Sequence, residues 1–174
     1  MANLELALAS RPQPPRWLSD NADQFHEAVN QALNSRVHRE RWKYTKSQPV
    51  LDMLEAAAVH PNWHTLPDGV VLHEITQDHK DAPLHYQVED APEASSALCY
   101  HDKVMLIEAS GSPTQPLVIE HRGHSAPIVL KLAANTHLEL HEFYADNVDQ
   151  HQTLWIELGP GSSLRHARNS FIRA

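Results

Sequence analysis

Two stretches of this chain alternate between apolar and polar residues and turn at matching places. Ile128-Val129-Leu130-Lys131-Leu132 alternates, turns through Ala133-Ala134-Asn135, and resumes as Thr136-His137-Leu138-Glu139-Leu140. Leu154-Trp155-Ile156-Glu157-Leu158 alternates, turns through Gly159-Pro160-Gly161, and resumes as Ser162-Ser163-Leu164-Arg165-His166. An offset of 26 residues lays Leu130 on Ile156, Lys131 on Glu157, Leu132 on Leu158, Thr136 on Ser162 and Leu138 on Leu164. Alternation of period two gives a strand with one buried face. A repeated strand–corner–strand unit buries that face by stacking on its neighbour, as in a β-solenoid. The other reading of the same spacing is two ordinary hairpins of a β-sandwich.

The remainder divides into a helical and a strand region. Leu4 to Ser10 suits a short helix that Arg11-Pro12-Gln13-Pro14-Pro15 ends. Ser19 or Asp20 can cap a second helix carrying Phe25, Ala28, Val29, Ala32 and Leu33. Ser47 and Pro49 open a third, with Val50, Leu51, Leu54, Ala57 and Ala58, and His60-Pro61-Asn62 ends it. Leu66-Pro67-Asp68-Gly69 is a turn. Strand patterns follow at Val70–Ile75, Leu84–Val88 and Val104–Glu108, before the repeats. The expected organisation is a helical region over residues 1–65 and strand rungs over 66–174.

Composition narrows the function classes. A net charge of −8 without a basic run argues against a general nucleic-acid surface. No apolar run is long enough for a transmembrane helix, and the acidic start Met1-Ala2-Asn3-Leu4-Glu5 lacks the basic region of a secretory signal. The single cysteine, Cys99, forms no internal disulfide and suits a cytoplasmic location. It also cannot supply the several thiolates that usually hold an iron–sulfur cluster. Leu98-Cys99-Tyr100 reads as a buried, inert thiol rather than an acidified one.

The fourteen histidines raise a metal hypothesis. His60 and His64 are four apart, as are His137 and His141, and His121 and His124 are three apart. His137 and His141 alternate out of phase with Leu138 and Leu140, which points them to solvent. There is no H-E-x-x-H, no C-x-x-C, no G-x-S-x-G and no phosphate loop. No catalytic, cofactor-binding or metal residue is therefore assigned. Gly159-Pro160-Gly161-Ser162 reads as a corner.

Two places together carry a family resemblance. One is Glu40-Arg41-Trp42-Lys43-Tyr44-Thr45 with Leu66-Pro67-Asp68-Gly69-Val70 downstream. The other runs from Pro116-Leu117-Val118-Ile119 through Pro127-Ile128-Val129-Leu130 and Leu138-Glu139-Leu140-His141-Glu142 to the stretch from Ile156 to His166. Across about residues 36 to 168 the chain resembles the SufB/SufD family of iron–sulfur cluster assembly proteins, and SufD more than SufB. The resemblance implies an N-terminal helical region leading into a right-handed parallel β-helix. It also implies a non-enzymatic scaffold with SufB- and SufC-type partners. SufD-like proteins are much longer, so the chain reads as a short paralogue or an N-terminal part. The family's C-terminal functional residues have no positions here.

Trp42 and Tyr44 alternate with Arg41 and Lys43, which suits inward packing of the rings more than a partner contact. The last rung, from about Trp155 to Ile172, is expected to be an open edge that a second copy covers, giving a homo-oligomer. The reading from another class is a small metal-dependent β-fold enzyme of cupin or carbohydrate-active type. His121, His124, Glu139 and His166 are the set it would need.

Overall fold

A computed structural model describes residues 27–28, 31, 35–36, 61–76, 103–122, 126–144 and 153–170. The chain divides into two compact units, Met1–Ala56 with Thr76–Asp102, and Ala57–Ile75 with Lys103–Ala174. In the first, Glu27, Ala28, Gln31 and Arg36 have helical backbone, and Gln31 Nε2 donates to Glu27 Oε1 one turn back at 3.1 Å. Glu27, Ala28 and Gln31 fall within the second expected helix, and Arg36 lies beyond the loop expected around Asn34-Ser35. Residues 1–26 and 37–60 of the expected helical region, and the strand expected at Leu84–Val88, lie outside the described residues, while 62–65 at its end form a strand.

The second unit is built of strands. They are β1 (Asn62–Thr65), β2 (Val70–Thr76), β3 (Lys103–Ala109), β4 (Leu117–His121), β5 (Ile128–Leu132), β6 (His137–Tyr144), β7 (Leu154–Leu158) and β8 (Ser163–Ser170). One four-stranded sheet has the order β1-β4-β6-β8, and the other the order β2-β3-β5-β7. The described strands form no closed barrel. The first strand lies at Asn62–Thr65, just ahead of the boundary expected at residue 66. The turn expected at Leu66-Pro67-Asp68-Gly69 is present, with Val70 N–H donating to Pro67 O at 3.1 Å and Gly69 at φ 82°.

From β3 onward, consecutive strands change sheet. β5 pairs not with β6 but with β3 and β7, parallel on both sides. β6 likewise lies parallel between β4 and β8. The hairpin reading of the repeats is thereby excluded. The 26-residue offset is the hydrogen-bonded register itself: Leu130 pairs with Ile156, Lys131 with Glu157, Leu132 with Leu158, and Leu138 with Leu164. The preceding layer has a different offset, since Met105 pairs with Ile128 and Leu117 with Leu140. Both sheets share that shorter step, so the residues it lacks come from the connection that leads back from β4 to β5. The corner after β3 and the corner after β5 need not differ.

The corners obey backbone chemistry. Thr136 N–H donates to Ala133 O at 3.2 Å, and Ser162 N–H to Gly159 O at 3.0 Å. Asn135 has φ 57° and Gly161 φ 71°, so each corner places its left-handed residue third, as a type II turn does. Pro160 then sits where its fixed φ suits the second position. Gly159 is needed for another reason. A Cβ there would lie 2.7 Å from Leu132 O and from Ala134 N, the backbone of the corner beneath.

Parallel register stacks like on like between the sheets. Ile107, Leu130 and Ile156 form one column, and Leu117 and Leu140 begin another. Ile107, Leu117, Ile119, Ile128, Leu130 and Leu140 are fully buried, with Trp63, Leu72, Leu154 and Leu164 packed at the margin. β5 is buried on both faces, Val129 included, as central parallel strands commonly are.

Candidate functional site

The core of the β1-β4-β6-β8 sheet turns polar at one end. Along β6 the inward phase runs Leu138, Leu140, Glu142, Tyr144. On β4 the same phase ends in His121, which pairs in register with Tyr144. On β8 it runs Leu164, His166, Arg168, with His166 beside Leu140 and Arg168 beside Glu142. Three neighbouring strands therefore deliver five polar side chains to one place.

Glu142 is the centre, and both it and His121 are fully buried. His121 Nε2 donates to Glu142 Oε1 at 2.8 Å. Oε2 accepts from His166 Nε2, and from Nε and Nη2 of Arg168, each at 3.2 Å. His121 stacks on the Tyr144 ring at 4.8 Å between centroids, and the Arg168 guanidinium lies 5.6 Å from that ring's centre. The Tyr144 hydroxyl is buried with no hydrogen-bond partner among the described residues.

Burial is the largest single influence on the Glu142 carboxyl and pushes its pKa up. The donated bonds of His121 and His166 and the Arg168 charge together outweigh it, and hold the group at about 2 against an ordinary 4.5. Tyr144 moves the other way, to about 12, through burial and then the neighbouring Glu142 charge. A carboxylate so satisfied is held as a structural anion. It is not poised to exchange a proton near neutral pH.

The sign of the stability change follows from the lowered value. In the unfolded chain Glu142 protonates near pH 4.5, while in the native protein it stays ionised down to about 2. Its contribution is complete above pH 5 and is lost as pH falls towards 2. Linkage puts the loss at about 3 kcal/mol. Urea midpoints should fall steeply between pH 5 and 2 for the unmodified chain. For Glu142→Gln that part of the slope should be absent, and equal slopes would refute the assignment.

The described members of the set weighed for a metal-dependent enzyme, His121, Glu139 and His166, do not meet at one point. His121 and His166 do converge, but on Glu142, whose two oxygens separate their Nε2 atoms. Glu139 lies on the opposite phase of β6 and accepts from His141 Nε2 at 2.9 Å. His124 lies outside the described residues. Among the described residues no group of three or more histidine, cysteine or acidic side chains is placed to hold a metal ion. His137 is exposed and its Nδ1 is 2.8 Å from Ser163 Oγ. His64 pairs with Glu120, whose carboxyl the Arg122 guanidinium, and then His64, hold below its ordinary range. Cys99, Trp42, Tyr44 and His60 lie outside the described residues.

Glu142, Arg168 and Tyr144 were not singled out from sequence. The signal was available, because the 26-residue offset sets Arg168 on Glu142 and His166 on Leu140 once the repeat is extended a few residues. No described helix is long and apolar enough to cross a membrane. No protein-family model, curated protein or solved structure matches the chain.

Proposed function

We propose that this chain is a SufD-like, non-enzymatic scaffold of Suf-type iron–sulfur cluster assembly, acting through contacts with SufB- and SufC-type subunits. In this reading the two sheets are the first rungs of a right-handed parallel β-helix, and the chain acts in the cytoplasm. The observation that carries it is the register. From β3 to β8 both sheets step by the same offsets from layer to layer, as successive strands do when a chain coils in rungs, while β1 lies antiparallel to β4 at the edge. The motif Glu40-Arg41-Trp42-Lys43-Tyr44-Thr45 and the strand sequences from Pro116 to His166 supply the family link. The polar cluster supports a structural role, since Glu142 has both oxygens bonded within the protein.

Co-expression of the tagged full chain with SufB- and SufC-type subunits tests the reading. Retention of at least one of them through purification is expected. If both wash away from a folded chain, the scaffold role fails.

A further inference from the structure

We draw no further inference here: the strongest candidate, the hollow of about 570 Å³ on the outer face of the β2-β3-β5-β7 sheet, carries nothing, because its Glu108 is paired with His73 and its Lys131 with Glu157, and nothing in the structure shows what would fill it.

Discussion

Glu142→Ala should destabilise the chain by about 3–5 kcal/mol, the cost typical of removing one partner from a buried ionic group. The loss has two parts. The carboxylate's bonds to His121, His166 and Arg168 disappear, and the fully buried His121 loses the Glu142 acceptor of its Nε2–H. Chemical denaturation at pH 7 measures the change directly. Glu142→Gln should cost less, because an amide oxygen still accepts one of the donors. A loss below about 1 kcal/mol for the alanine variant would mean that the cluster is wet and only loosely assembled. Substituting His166 or Arg168 should cost less than substituting His121, since each retains solvent access.

The second large effect compares two residues that the sequence treats as equivalent. Leu130 and Ile156 occupy the same place in the repeat and pair in register. Leu130→Ala should cost about 2–5 kcal/mol, because a fully buried aliphatic residue leaves a cavity that its neighbours cannot close. Ile156→Ala should cost about 1 kcal/mol or less, since a large part of the side chain already faces solvent. Urea midpoints of the two variants, at unchanged slope, give the comparison. Similar losses at both positions would show that something covers β7 in solution, as would follow if copies of the chain associate there.

Two kinds of information are separable in this protein. Local sequence determined the strands, their inward faces and the corners. Apolar alternation in Ile128–Leu132 and Leu154–Leu158 fixes which side chains face inward, because a strand turns its side chains over at every residue. Pro160-Gly161 and Asn135 fix the turns, because few residues accept a positive φ. The repeat at 26 residues was readable and became the hydrogen-bonded register. The shorter step of the first layer was not readable, because it depends on the length of a return connection that no alternation constrains.

Tertiary structure decided the rest. Only parallel pairing of β4, β6 and β8 brings His121, Glu142 and Arg168 together across long stretches of chain. Taken singly, the polarity of Glu142 suggests an outward residue, and its burial is tolerable only because three partners from neighbouring strands satisfy it. Nor does sequence separate Leu130 from Ile156. Their exposures differ because, among the described strands, β5 has a neighbour on each side and β7 has one only on the β5 side, and burial depends on what stands next to a residue in space.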